Sequence, residues 1–323
     1  MSKQLNRKTN NQKHLKLRFN WKTVIAIFLV GGFIYLVLPH IGEFHNSLKL
    51  LKNLKLSWLV ITVAASLATY GAAAGIYLAL AKHSLKYFPT LIIQSAGMLA
   101  NRLLPGGVGS LGVNYEYLRK HHHSVTEAGS VIATNNICGL VGHLLIFMVV
   151  LIFFSFHLRP VSLPHPSSYV YWLFGAVLLL VVILLAWSRK LRSELFQTIL
   201  GVLRNIGRYR THPLRLAMAI VVSMTLTLLY VVCLAACGEA LNIHLAFGQV
   251  FLVMTAGVIT GTVTPTPGGL LGAEAGLLAA LVAYGVVAAP ALAVVLMYRL
   301  ITYWFALLMG AVAFILSERL GYL

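Results

Sequence analysis

The chain alternates between long apolar segments and short polar segments that are mostly basic. Six of the apolar segments are long enough, at roughly 17 residues or more, to cross a bilayer as helices. They lie at about residues 23–40, 57–81, 125–156, 169–187, 213–237 and 290–316. Two further apolar segments, 88–118 and 247–285, are interrupted near their middles. The pattern predicts an all-α polytopic membrane protein with about six full spans and two broken segments.

The two interruptions have the same local sequence. The first reads Pro105-Gly106-Gly107 and the second Pro267-Gly268-Gly269, about half the chain length apart. Proline lacks an N–H donor and glycine is conformationally permissive, so a helix does not continue through either point. A broken backbone at membrane depth must be buried in protein or line a wet cavity. We therefore predict two re-entrant hairpins that turn within the membrane.

Each half of the chain contains two crossings, then a Pro-Gly-Gly hairpin, then one crossing. The halves are about 23–160 and 161–318, and their hairpins enter from opposite sides, which defines an inverted-topology repeat. In such repeats the interrupted helices meet near the midplane and form the substrate site. Residues 1–22 are predicted to be a basic cytoplasmic tail, 23–318 a single membrane domain, and 319–323 a cytoplasmic end.

Composition and charge agree with a membrane protein. Hydrophobic residues make up 59% of the chain and charged residues 10%. A net charge of +18 would suggest a nucleic-acid partner for a soluble protein, but here the basic residues lie almost entirely between apolar segments. They therefore report topology and contact with anionic lipid. Their bias places both termini and residues 188–212 in the cytoplasm and residues 157–168 outside a cell (plasma) membrane.

The Pro-Gly-Gly loops are the first candidates for a binding site. Gly106, Gly107, Gly268 and Gly269 are predicted to begin half-helices, whose free N–H groups and positive dipole ends suit a phosphate or carboxylate. The alternative is that both loops only turn the chain inside packed helices. Two loops at matching positions of inverted halves favour binding.

Two arginines and a carboxylate are predicted to lie at membrane depth. Arg102 precedes the first break, Glu274 follows the second, and Arg299 lies inside the last span. An arginine there must face protein, water or an anion, and its guanidinium matches phosphate. The alternative is structural ion pairing, of Arg299 with Glu274 and of Arg102 with Glu116. Glu116 is otherwise a candidate contact near the inner end of the first hairpin.

Three consecutive histidines, His121 to His123, follow the first hairpin. Histidine is a common metal ligand, but no further clustered ligands are evident in the sequence. An interfacial cationic loop is therefore favoured over a metal site. No metal or other cofactor is predicted, and no catalytic constellation can be placed.

Several of these residues resemble the lysylphosphatidylglycerol synthase transmembrane-region family. The resemblance covers about residues 20–318 and rests on the segments 101–109, 115–119, 130–133 and 265–270, with Glu274, Tyr298 and Arg299. It implies a membrane domain that flips an aminoacylated phospholipid, while a separate soluble domain of longer relatives attaches the amino acid. Because the sequence stops at Leu323, we expect no lysyltransferase activity. Ser110 and Gly112 stand where relatives often carry an acid.

We therefore predict a lipid flippase or transporter for an anionic or aminoacylated phospholipid, or for a polyprenyl-phosphate-linked lipid. Its predicted partners are that lipid and the membrane, without nucleic acid, and a homo-oligomer is left open. The predicted substrate-binding residues are Arg102, Pro105, Gly106, Gly107, Glu116, Pro267, Gly268, Gly269, Glu274 and Arg299. The alternatives are a small-solute channel or transporter, a membrane-embedded lipid-modifying enzyme and a non-transporting accessory subunit.

Overall fold

A computed structural model describes residues 54–104, 108–154, 213–264 and 266–323. All regular secondary structure within these ranges is helical. The predicted basic tail, the spans at 23–40 and 169–187, and the loops at 157–168 and 188–212 lie outside the described residues. The Pro105-Gly106-Gly107 break lies outside them as well.

Nine α-helices occur in the described part of the chain, and their ends agree with the predicted segments to within a few residues. They are α1 Leu56–Leu80, α2 Tyr87–Leu103, α3 Val108–Lys120, α4 Val125–Phe154, α5 Pro213–Ala240, α6 Phe247–Val263, α7 Gly272–Ala283, α8 Ala288–Arg299 and α9 Ala306–Arg319. A 3₁₀ turn, Pro267–Gly269, lies between α6 and α7. A π-helical segment, Leu300–Phe305, joins α8 to α9 without a break.

Among the described residues, four helices are long and apolar enough to cross a membrane: α1, α4, α5 and the continuous Ala288–Arg319 run. Their outer surfaces carry apolar side chains. On α4, for example, Leu144, Met148 and Ile152 recur every four residues and are 50%, 54% and 61% exposed. Such a face is stable against lipid and would be unfavourable in water. The predicted class, an all-α polytopic membrane protein, is confirmed.

The two broken segments fold as helical hairpins. Helices α2 and α3 pack against each other as hairpin 1, and α6, the 3₁₀ turn and α7 form hairpin 2. The shorter arms, α3 and α7, have 13 and 12 residues, which is about 18–20 Å of helix. A hydrocarbon core is about 30 Å thick, so neither arm can cross it. The lengths fit re-entrant hairpins, and their depth in a bilayer stays a prediction.

The hairpins begin at opposite ends of the helical assembly. The segment before α2 and the start of α4 are joined by the Lys82–Glu127 ion pair at 2.6 Å, so α3 returns to the end where α2 starts. At the other end of α1, the Lys55 N–H donates to the Ala240 carbonyl at 3.4 Å, next to the loop that leads into α6. Leu245, before α6, and Leu281, near the end of α7, line one small cavity at that end.

Opposed hairpins are the arrangement that an inverted repeat requires. Helices α1 and α5, which occupy matching positions in the two predicted halves, make the most extensive helix–helix contact in the described part of the chain. Because the first crossing of each half lies outside the described residues, the repeat and the domain limits stay predictions.

Hairpin 2 depends on small residues for its close packing. A methyl group added at Gly276 of α7 would lie 2.0 Å from Thr260 Oγ1 of α6, and one at Gly261 would lie 3.0 Å from Ala273 Cβ. The hydroxyls of Thr260 and Thr264 donate to carbonyls of their own helix, at 2.8 and 2.7 Å. These bonds satisfy the hydroxyls without a partner on α7.

Hairpin 1 instead carries hydrogen bonds between its arms. Gln94 Nε2 of α2 donates to Asn114 Oδ1 of α3 at 2.6 Å, and the Thr90 and Tyr117 hydroxyls are 2.9 Å apart. All four side chains are buried. In a low-dielectric interior, unpaired polar groups would be costly, so these bonds fix the register of the two arms.

Two details differ from the predicted elements. The glycines of the second break do not begin a half-helix, since Gly268 and Gly269 adopt left-handed φ values of 60° and 66° in the 3₁₀ turn. Helix α7 begins at Gly272. The last span was predicted as an ordinary helix, but it contains the π-helical Leu300–Phe305 segment. Such segments are frequent at functional sites.

Candidate functional site

A cavity of about 470 Å³ lies where the end of α2, the turn of hairpin 2 and the α8–α9 run come together. Its size is within the range of small-molecule sites, so it can hold a lipid headgroup. Charged and polar groups share its wall with apolar ones. The lining residues are Met98, Asn101, Arg102, Tyr230, Met254, Gly257, Val258, Gly261, Thr262, Thr264, Thr266, Gly268, Gly269, Ala273, Leu277, Tyr298, Arg299, Thr302 and Tyr303.

Arg102, in the last turn of α2, is held by carbonyl groups. Its Nη2 donates to the Thr302 carbonyl in the π-helical segment, and its Nη1 donates to the Met98 carbonyl at 3.3 Å. Its Nε is buried without a hydrogen-bond partner. Among the described residues, no carboxylate lies within ion-pair distance of Arg102. In this part of the chain, carbonyl dipoles and not a carboxylate hold the charge of Arg102 at the cavity.

Arg299, at the end of α8, is held by a carboxylate. Its Nε donates to Glu274 Oε1 of α7 at 2.5 Å, and the two side chains are 11% and 15% exposed. Arg299 lines the cavity, whereas Glu274 does not. Glu274 Oε2 and Arg299 Nη2 are both buried without a partner. The predicted Arg299–Glu274 pair is thus present, and its arginine lines the cavity while its carboxylate does not.

Tyr303 lies beside both guanidinium groups. The guanidinium carbons of Arg102 and Arg299 are 5.3 and 4.7 Å from its ring centre. These distances are within the range of cation–π attraction. The ring is 1% exposed, so this attraction acts in a desolvated setting.

The remaining predicted site residues have different positions. Gly268 and Gly269 line the cavity, while Pro267 is in the turn but not in the wall. Glu116 is exposed on α3, and it neither lines the cavity nor pairs with Arg102. The alternative of a Glu116–Arg102 ion pair is therefore wrong, and substrate contact by Glu116 stays a prediction. The α2–α3 break, Pro105 to Gly107, lies outside the described residues.

The start of α7 carries a carboxylate of its own. Glu274 lies in the first turn of this helix, where a carboxylate complements the positive end of the dipole. Anion binding at the half-helix start stays a prediction. Among the described residues, the positive side chains that line the cavity are those of Arg102 and Arg299.

Sequence reasoning missed Tyr303 and Thr302. Both lie in an apolar, aromatic run, Leu300–Phe305, whose composition resembles that of any other span. One weak signal was available, since Tyr303 lies four residues after Arg299 and so shares its helix face. Nothing local, however, indicates that Thr302 offers its carbonyl to an arginine 200 residues earlier.

The histidines after hairpin 1 pack the loop that precedes α4. Within the part of the chain that the structure describes, no group of three metal-ligating side chains occurs. His123 is 1% exposed; its Nε2 accepts from the His83 N–H at 3.4 Å, and its Nδ1 is 3.1 Å from the Leu118 carbonyl. Burial, aided by His83, lowers the pKa of His123 below its usual value.

Comparison with known proteins assigns the chain to a family. The family model described as Lysylphosphatidylglycerol synthase TM region matches residues 21–310, which include both hairpins and the whole cavity. The chain belongs to this family. No curated protein matches the chain. As a member of the lysylphosphatidylglycerol synthase TM-region family, it is an integral membrane protein with a lipid-related function.

Proposed function

We propose that the protein is a lipid flippase or transporter, which moves an anionic or aminoacylated phospholipid, or a polyprenyl-phosphate-linked lipid, between leaflets. One observation carries the proposal. Arg102 lines a cavity between the two broken hairpins, and the described residues offset its charge with carbonyls and a ring instead of a carboxylate. A partly buried cation at membrane depth is costly unless an anion approaches it. A headgroup phosphate is an anion that a guanidinium binds well.

The shape of the site supports transport. A cavity of about 470 Å³ is large enough for a headgroup but not for acyl chains, which would stay in the surrounding lipid. The cavity lies between hairpins that begin at opposite ends of the assembly, so movement at either hairpin can change its access. Transporters with broken helices use such movements to expose one site alternately to the two sides of the membrane.

The decisive experiment is a leaflet-asymmetry assay in proteoliposomes with a panel of labelled lipids. We expect accelerated exchange of lipids with an anionic phosphate and recovery of each lipid chemically unchanged. Ion conductance without lipid movement would favour a channel, and a new lipid product would favour an enzyme. Either result would overturn the proposal.

Arg102→Gln provides the matched variant. Loss of charge-assisted hydrogen bonds to the phosphate should slow lipid movement roughly ten- to hundredfold. Arg319→Gln is the control, because Arg319 is an exposed arginine at the end of α9. Equal activity of the Arg102 and Arg319 variants would exclude Arg102 from headgroup binding.

A further inference from the structure

Tyr303 contacts elements of both hairpins. Its hydroxyl donates to the Arg102 carbonyl at the end of α2, at 3.5 Å. Its ring packs against the turn of hairpin 2, where a methyl group added at Gly268 would lie 2.5 Å from Tyr303 Cε2. The π-helical segment of the last crossing carries Tyr303 itself. One side chain therefore joins three elements that are distant in sequence.

Both guanidinium groups of the cavity lie beside this ring. Arg102 and Arg299 repel each other, and Glu274 is the carboxylate of the described residues that pairs with either of them. With both guanidinium groups held beside one buried ring, Glu274 contacts Arg299 and not Arg102. The negative face of a ring stabilises a cation without neutralising it. Arg102 thus keeps its charge available to a ligand.

The turn of hairpin 2 is built to accept this ring. Gly268 has a φ of 60°, which is unfavourable for side chains with a Cβ, and it leaves the space that Tyr303 fills. A larger residue at Gly268 would displace the ring and with it both guanidinium groups. The Pro-Gly-Gly sequence and the position of the arginines are therefore linked through Tyr303.

We propose that Tyr303 is the positioning residue of the headgroup site. Its ring fixes both guanidinium groups at the cavity wall and keeps Arg102 from the Glu274 carboxylate, so that a single anionic phosphate meets both arginines. This inference rests on the proposed function, and it adds a residue whose role is indirect. Without the ring, Arg102 can move toward Glu274, and the cavity loses its uncompensated positive charge.

Two substitutions of Tyr303 distinguish the contribution of its ring from that of its hydroxyl. Tyr303→Phe retains the ring and loses one long hydrogen bond, so it should bind within about twofold of wild type. Tyr303→Leu removes the ring and should weaken binding at least about tenfold. The probe is dihexanoyl phosphatidylglycerol added to the detergent-purified protein and followed by calorimetry. Tyr77→Leu is the control, because Tyr77 is also buried but lies on α1, outside the cavity wall.

A thermal-unfolding cycle tests the positioning role without any lipid. If Tyr303 holds Arg102, the Tyr303→Leu/Arg102→Gln double variant should lose less stability than the two single losses combined. Additive losses would overturn the positioning role. Tight lipid binding by Tyr303→Leu would overturn it too. If the cycle shows coupling while wild type moves none of the labelled lipids in proteoliposomes, the proposed function fails and the positioning role stands.

Discussion

Arg102 and Arg299 share one cavity but are stabilised in different ways. Carbonyl groups of Met98 and Thr302 hold the first, and the Glu274 carboxylate holds the second. A guanidinium that is paired with a buried carboxylate is close to neutral overall, whereas one bound by dipoles keeps its charge. We therefore propose Arg102 as the primary anion contact and Arg299 as the second, weaker contact.

The Arg299–Glu274 pair gives the first prediction. Glu274→Gln or Arg299→Gln leaves one buried charge alone, which typically costs about 3–5 kcal/mol of folding stability. The double variant removes both charges, so its thermal stability should recover much of that loss. We expect it to fold well and yet move lipid poorly, because Arg299 lines the cavity. Unfolding temperature and proteoliposome lipid exchange are the two measurements.

A different result would reassign the pair. If the double variant regains wild-type lipid movement along with its stability, Glu274 and Arg299 hold α7 to α8 and do not handle the headgroup. Arg102→Gln in the same assay distinguishes general loss of charge from loss of this pair.

His123 gives a prediction about pH. Burial lowers its pKa in the folded state, while the unfolded chain has the usual value of about 6.5. Below that pH the unfolded state binds more protons than the folded state, so stability falls as pH falls from about 7 toward 5. His123→Gln should flatten this dependence in thermal unfolding. His122→Asn is the control, since His122 is exposed, and an unchanged pH profile in His123→Gln would contradict the assignment.

At the scale of the element, the two hairpins achieve close packing by different chemistry. Hairpin 1 is joined by buried hydrogen bonds such as Gln94–Asn114. Hairpin 2 is joined by backbone approach at Gly261 and Gly276. Small residues permit dense van der Waals contact between helices in lipid, where the hydrophobic effect supplies no attraction. In hairpin 1 the buried amides pair with each other, and in hairpin 2 the threonine hydroxyls donate to carbonyls of α6.

Gly276→Ala tests the packing of hairpin 2. The added methyl group meets Thr260 Oγ1 at 2.0 Å and the Ala256 carbonyl at 2.8 Å, so the arms must separate. We expect a loss of about 1–3 kcal/mol of stability, as for other overpacked sites. Gly139→Ala on α4 is the matched control, because its methyl group meets nothing within 4 Å. That substitution should be neutral or stabilising, and equal losses in both variants would contradict the packing model.

At the scale of the whole molecule, the two hairpins begin at opposite ends of the helical assembly. The end of α3 lies near the C-terminus, where Lys120 Nζ donates to the Gly321 carbonyl at 3.5 Å. Hairpin 2 begins at the other end, after the loop in which His244 pairs with Glu239 at the end of α5. The turn of hairpin 2 reaches the end of α2 through Tyr303, so the cavity lies between the two ends.

Impermeant thiol labelling tests this topology. Cysteines at Lys120 and His244 should react from opposite sides of a sealed vesicle, with Lys120 on the cytoplasmic side because of the basic residues around it. A cysteine at Lys82 is the internal control and should label from the same side as Lys120, since its loop contacts the start of α4. Labelling of Lys82 and Lys120 from opposite sides would mean that α2 and α3 together cross the membrane.

The sequence by itself determined the helical segments and the places where they break. Apolar length fixes which segments can span a bilayer, and proline and glycine interrupt a helix through their own covalent structure. Both causes are local, so the ends of α1 to α7 could be predicted to within a few residues. The charged residues near the breaks could also be identified from the sequence as candidates for a site, because an arginine in an apolar run has few favourable environments.

Only the tertiary structure decided how those charges are used. Whether Arg102 meets Glu116 or the Thr302 carbonyl depends on how α2 packs against the last crossing, 200 residues away in the chain. Tyr303 is identified as part of the site only by its three-dimensional position, because its ring lies beside both arginines and against Gly268. Of the two alternatives predicted for Glu274, the structure shows the ion pair with Arg299, and contact with the headgroup stays a prediction. The packing of elements that are distant in sequence decides which side chains come close enough to pair. The free-energy cost of burying one charged side chain is offset only when that packing brings a partner to it.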